Sequence, residues 1–110
     1  MSDERERRVG LNEALFREVN EQIRSLADEP DSGDEKITVI CECADPDCTA
    51  HVELPVSDYE RIRGESVLYV VATGHDAREG EIVIEQRNGW EVVRKIGAAG
   101  EIAEETDPRT

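Results

Sequence analysis

Three cysteines fall within eight residues of this chain: Cys41-Glu42-Cys43, then four residues, then Cys48. Residues two apart on a strand project to the same face, so the sulfurs of Cys41 and Cys43 can reach one ion. The turn-forming run Asp45-Pro46-Asp47 can bring Cys48 back to join them. Three soft thiolates at short spacing suit zinc, which prefers a tetrahedral shell of Cys and His. Iron is the other metal that such a thiolate set accepts. Ordinary buried thiols and a reversible Cys41–Cys43 redox pair are the competing readings. The redox pair is disfavoured, because no Lys or Arg lies within the cluster to lower a thiol pKa and the surrounding acids would raise it.

A closed site needs a fourth ligand, and the chain holds two histidines. His51 lies three residues after Cys48 and has the advantage of proximity. His75 follows Gly74 after an apolar strand, and binding there would close a longer loop of chain. The staple argument favours His75; Asp45 and Asp47 are remote third choices. With four ligands the zinc is expected to be structural, since catalytic sites keep three protein ligands and a water. Glu42 and Glu53 are expected to be solvated surface carboxylates. No Ser/His/Asp set, phosphate loop or dinucleotide fingerprint is present, so no catalytic residue is assigned and the protein is not expected to be an enzyme.

The elements that must position these residues can be read along the chain. Residues 1–28 form a first segment, helical from about Arg5 to Ala27. Val9, Phe16, Val19, Ile23 and Leu26 recur at helical spacings, with Leu11 and Leu15 widening the stripe. Glu13, Arg17, Glu18, Glu21 and Arg24 are expected on the opposite, wet face, with Glu13 and Arg17 paired four apart. Gly10 weakens the first turn. Residues 29–35 are an acidic linker containing Pro30 and Gly33.

Residues 36–96 read as the zinc-binding domain. Lys36 to Cys43 is β-prone, and Ala50 to Leu54 alternates as a second strand. Ser57 and Glu60 have capping-box spacing ahead of a short helix, Asp58 to Arg63, stopped by Gly64. Ser66 to Ala72 is the most apolar strand and is expected to be central. Asn88-Gly89 between two β-prone runs predicts a hairpin with a type I′ turn, pairing Arg87 with Trp90, Glu85 with Val92 and Val83 with Arg94. Residues 97–110 are an acidic tail, expected to add a turn around Glu101 to Glu105 and then fray. The fold class is therefore α+β: an N-terminal helix, a small mixed or antiparallel sheet of about five strands and one short helix, stapled by zinc.

Strung together, these parts resemble a family of small, uncharacterised bacterial proteins. The matching elements are Cys41 to Cys43, Asp45 to Cys48, Leu54 to Arg63, Val67 to Val71 and Gly74-His75, preceded by the helix containing Asn12 to Ile23. The resemblance covers about three quarters of the chain and implies His75 rather than His51 as the fourth ligand. The family pattern often has Pro where this chain has Thr73, which would loosen the loop holding His75. The family brings no established activity.

Charge and composition bound the partners. The net charge is −14 over 110 residues, which favours solubility and disfavours nucleic acid and anionic membranes, both of which need clustered Lys and Arg. No run approaches the roughly 18 apolar residues of a membrane span, and Met1 to Arg8 lacks a signal peptide's apolar stretch. The expected location is the cytoplasm, where thiols stay reduced and bind metal rather than pairing. The expected role is a protein-interaction or regulatory module that presents its N-terminal helix or acidic surface to a protein partner, or pairs with a second copy as a homodimer. The alternatives are a thiol oxidoreductase, a zinc-dependent hydrolase, and a zinc sensor or carrier.

Overall fold

A computed structural model describes residues 2–26, 36–43, 47–74 and 80–109; for residues 2, 3, 5–7 and 9 it describes the backbone alone. The expected linker, residues 29–35, lies outside the described residues. The elements are α1 (Ser2–Leu26), β1 (Lys36–Ile40), β2 (His51–Pro55), α2 (Val56–Arg63), β3 (Leu68–Ala72), β4 (Glu81–Gln86), β5 (Trp90–Lys95) and α3 (Gly97–Glu105). The class is α+β, as the periodicities predict.

The five strands form two antiparallel sheets rather than one: β1-β2, and a three-stranded sheet ordered β3-β5-β4. The split has a local cause. Beyond Cys41 the chain turns from β2 to β3, where the Glu42 amide donates to the Val70 carbonyl at 2.9 Å. The apolar β3 is thus an edge strand of its sheet, and β5 is the central one. β3 is nonetheless buried through most of its length, because both of its faces are covered and residues 41–43 shield its free edge.

One face of the three-stranded sheet packs on β1, β2 and α2. Ile37 and Val39, Val52 and Leu54, and Tyr59 and Ile62 meet Leu68, Val70, Trp90 and Val92 in one apolar cluster. Strict alternation in β1 and β2 supplies the inner residues, with polar residues facing out. Helix α2 begins directly after β2, with Pro55 in the N-cap position and no side-chain cap bond. Ser57 is therefore inside the helix rather than capping it, because Pro55 already holds the extended backbone that the cap position requires.

The β4–β5 hairpin forms at Asn88-Gly89, with Gly89 at φ 97° and the Arg87 amide donating to the Trp90 carbonyl at 2.8 Å. Glu85 pairs with Val92 as expected, but Val83 pairs with Val93 rather than Arg94. A bulge between Val83 and Glu85 inserts Ile84 as the extra residue. Ile82 and Ile84 are both exposed on this edge strand.

The C-terminal segment corrects its expectation. Gly97–Glu105 is a helix, and Ala99, Ile102 and Ala103 are buried. The absence of a side chain at Gly10 lets α1 approach α3 closely: a Cβ added there would sit 3.1 Å from the Ile102 side chain. Beyond it, Arg109 bridges Glu21 of α1 and Glu60 of α2. Acidic composition suggested a solvated tail, but Ala99, Ile102 and Ala103 carry an apolar face within it, and tertiary burial outweighs local charge.

Helix α1 is turned in part against its hydrophobic stripe. Glu13, Arg17 and Asn20 are buried, while Leu11, Leu15, Val19 and Leu26 are 52, 57, 39 and 81% exposed. Of the stripe, Ile23 does pack against the apolar cluster; of the face expected to be wet, Glu18 is exposed while Glu13 and Arg17 turn inward. Glu13 and Arg17 do not need one another, because each has a partner in the interior.

Candidate metal centre

Cys41 and Cys43 stand just past the end of β1, and Cys48 stands just before β2. The Cys41 amide donates to the Ala50 carbonyl at 3.1 Å, closing the base of the loop between them. The three sulfurs lie within 4.8 Å of one another; Cys41 and Cys43 are buried and Cys48 is half-buried. All three are free thiols. Tetrahedral zinc with Zn–S bonds of about 2.3 Å holds its sulfurs about 3.8 Å apart, so these thiols need only a small inward adjustment to share an ion.

The end of β3 completes this corner. The Ala72 amide donates to Cys41 Sγ at 3.2 Å. Burial pushes the Cys41 thiol well above its ordinary pKa, opposed by the Ala72 hydrogen bond and reinforced by Cys43 and Cys48. A buried group of three thiols with a backbone donor aimed at one sulfur suits a thiolate site, and a cation is what would make deprotonation favourable.

The two histidines fare differently. His51 is exposed at the first position of β2, opposite Ile40, on the outward-facing side of that hairpin. It is not among the clustered ligand atoms. His75 lies outside the described residues, as does Asp45. Asp47 is described and exposed, and it is not among the clustered ligand atoms either. Glu53 is exposed, as expected of a surface carboxylate.

Glu42 is not. It is fully buried between the two cysteines, and its carboxylate is committed four times. Arg63 makes a bidentate pair with it at 2.8 and 2.9 Å, Asn20 donates to it at 2.6 Å, and the Val70 amide donates at 3.1 Å. A carboxylate left without partners at this depth would be costly; these four donors offset its desolvation. Burial would lower the pKa of Arg63, but the Glu42 carboxylate more than offsets this and holds the guanidinium charged.

Asn20 carries this knot into α1. Its amide donates to the Ile40 carbonyl and accepts from the Ile40 amide, both at 2.9 Å. One turn earlier, Arg17 donates to the carbonyls of Ser66 and Ala103 at 2.7 and 2.9 Å. Lys95 bridges Glu13 and Glu81. The Tyr69 ring lies at the centre, with Arg17, Arg63 and Lys95 at 4.9, 5.8 and 5.5 Å from its centroid. Burial raises the Tyr69 hydroxyl pKa.

Sequence reasoning missed this polar seam, yet a signal was present. Glu13, Arg17, Asn20 and Arg24 recur at spacings of four, three and four, a helical stripe as regular as the apolar one. Helix α1 also contains arginine but no lysine, and arginine is the cation suited to buried, multiply bonded positions.

No protein-family model, curated protein or solved structure matches this chain. The functional reading therefore rests on the chain's own geometry.

Proposed function

We propose that this protein binds one zinc ion through Cys41, Cys43, Cys48 and His75, as a structural staple for a protein-interaction or regulatory module. The observation that carries the reading is the convergence of three thiols within 4.8 Å of one another. His75 is the fourth ligand in this reading because Ala72, three residues before it, already bonds to Cys41 Sγ. Three residues span at most about 10 Å, enough to return an imidazole to the sulfurs. The exposed, outward-facing position of His51 argues against that alternative.

Two observations favour a structural role over a catalytic one. Glu42, the carboxylate between two ligands, is held by Arg63, Asn20 and Val70, so it is not free to serve as a general base. The depth of Cys41 and Cys43 leaves little room for substrate at the sulfurs. A thiol oxidoreductase is disfavoured because burial raises the Cys41 pKa and so suppresses the nucleophilic thiolate. The interaction role draws its support from the apolar residues that α1 leaves exposed.

Native mass spectrometry of protein purified under reducing conditions tests the site. One zinc per chain is expected, retained in His51→Ala and lost or weakened in Cys48→Ser and His75→Ala. Wild type without metal would discard the reading and leave Cys41 and Cys43 as ordinary buried thiols. Full retention in His75→Ala would remove His75 from the ligand set.

A further inference from the structure

We infer that Asn20 of α1 is a positioning residue for the metal site and couples metal binding to the seating of α1. The inference rests on the zinc reading above and names how that site is regulated: what loosens α1 weakens the metal, and the metal tightens α1. Asn20 is fully buried. Asparagine is a poor choice for such a position, because its helix propensity is low and an amide buried without partners is costly. What it gains is three hydrogen bonds, all to the residues on either side of Cys41.

Two of these bonds go to backbone. Ile40 stands opposite His51, and the Cys41 amide bonds the Ala50 carbonyl one step further on. Bonded and non-bonded pairs alternate in an antiparallel ladder, so the Ile40 amide and carbonyl point away from β2. Asn20 takes both, at 2.9 Å each, as a neighbouring strand would. The third bond goes to a side chain. The second hydrogen on Asn20 Nδ2 meets Glu42 Oε2 at 2.6 Å. Satisfying Ile40 needs no such bond; it ties α1 to the residue between Cys41 and Cys43.

Glu42 in turn fixes the backbone that carries both thiols. Its amide donates to the Val70 carbonyl and its carboxylate accepts from the Val70 amide, while Arg63 of α2 grips the same carboxylate. Two residues along β3, the Ala72 amide donates to Cys41 Sγ. Residues 40–42 are thus pinned by α1, α2 and β3 together, and the hold from α1 is Asn20. Arg17 and Arg24 hold the helix elsewhere, on Ser66 and Ala103 and on Glu60. A shift of α1 therefore pulls on Ile40 and Glu42 and displaces the sulfurs they carry between them. Outer partners of metal ligands typically govern about 10–100-fold in affinity. Coupling is reciprocal, so the ion favours docked α1 by the same factor.

Asn20→Asp tests this on the full-length chain. It keeps the size and the acceptor for the Ile40 amide, removes both donors and sets a carboxylate against Glu42. Competition with a chelator should show the zinc Kd raised about 10–100-fold. The cobalt(II)-loaded variant should show altered d–d and thiolate charge-transfer bands at saturation. Leu54→Ala, a destabilising change in the apolar cluster, should leave those bands as in wild type. A wild-type cobalt spectrum in Asn20→Asp would overturn the inference even with a raised Kd, because lost stability alone would then explain the weaker binding. Should Asn20→Asp not fold, the wild type decides. Amide exchange in α1 around Asn20 should slow as buffered free zinc rises, and rates indifferent to free zinc would overturn the coupling. Metal content separates the two proposals: a metal-free wild type sinks the staple and this inference together, whereas a zinc-bound chain with neither effect sinks this inference alone.

Discussion

The two faces of the β3-β5 pair are buried against different materials. Toward β1, β2 and α2, Leu68, Val70, Trp90 and Val92 meet hydrocarbon. Toward α1 and α3, Tyr69 meets Arg17, Arg63 and Lys95, with Glu13, Asn20 and Glu42 completing the layer. The first face draws on a non-directional force that tolerates any well-filling side chain. The second depends on named donors meeting named acceptors, and a missing partner leaves a charge stranded. The apolar face therefore supplies stability, and the polar face decides how α1 is seated. The cysteine corner lies at the second face, where Cys41 and Cys43 pack with Tyr69, Val71, Val93 and Ala103 in a smaller apolar cluster, while Glu42 between them meets Arg63 and Asn20.

The largest test of this contrast is removal of the proposed zinc staple. Structural zinc sites carry an apparent binding free energy of about 10–16 kcal/mol, against a net stability of about 5–15 kcal/mol for a typical domain. Chelation at neutral pH, or Cys48→Ser, should therefore unfold both faces together, read as concerted loss of circular dichroism and Trp90 fluorescence. Retained structure on one face alone would show that the corner does not join them.

Breaking the polar face comes next. Glu42→Ala strands the Arg63 guanidinium and should cost about 3–5 kcal/mol in urea unfolding. Replacing both members, as in Glu42→Met with Arg63→Met, should recover most of that loss, because the desolvation of two charges is relieved at once. Amide exchange in α1 should nevertheless quicken in the double variant, since Asn20 and the Val70 amide lose an acceptor. If exchange is unchanged, Glu42 does not seat the helix.

On the apolar face, Leu54→Ala should cost about 2–5 kcal/mol and quicken α1 exchange less than Glu42→Ala does, since α1 meets this cluster through the half-buried Ile23. A selective loosening of α1 would mean the two faces are not separate.

The smallest expected effect is at the surface, where Arg109 joins Glu21 and Glu60. The hydrogen bond from Arg109 holds the Glu60 carboxyl below its ordinary value of 4.5, against a smaller opposing effect of burial. A lowered carboxylate stabilises the fold above its unfolded pKa, and that contribution is lost as pH falls through the lowered value. Arg109→Ala should thus cost less than about 1 kcal/mol at neutral pH. Its difference from wild type should shrink below pH 4.5. A difference that persists into acid would assign the effect to packing rather than charge.

Much of this architecture was legible beforehand. The five strands, the short helix and the Asn88-Gly89 turn follow from short-range pattern, because β-propensity, alternation and turn chemistry act over a few residues. The cysteine cluster was legible for the same reason: strand alternation and one turn suffice to bring the three sulfurs together. The bulge at Ile84 was not, since one inserted residue leaves the alternation of the run intact on either side. Of helix α3 only the turn around Glu101 to Glu105 was legible, because its apolar face sits inside an acidic segment.

The seating of α1 shows the limit most clearly. Periodicity established that the helix has two faces, and burial of the apolar one is the ordinary outcome. Here Arg17 reaches the carbonyls of Ser66 and Ala103, Asn20 bonds both polar groups of Ile40, and Glu13 meets Lys95. Those partners stand 20 to 86 residues away along the chain. What the sequence determined by itself is whatever local forces decide: element types, the hairpin turn and the grouping of thiols. The tertiary structure alone decided which side of α1 faces in, because a buried charge is favourable only when its partners are in place, and only the folded chain brings them there.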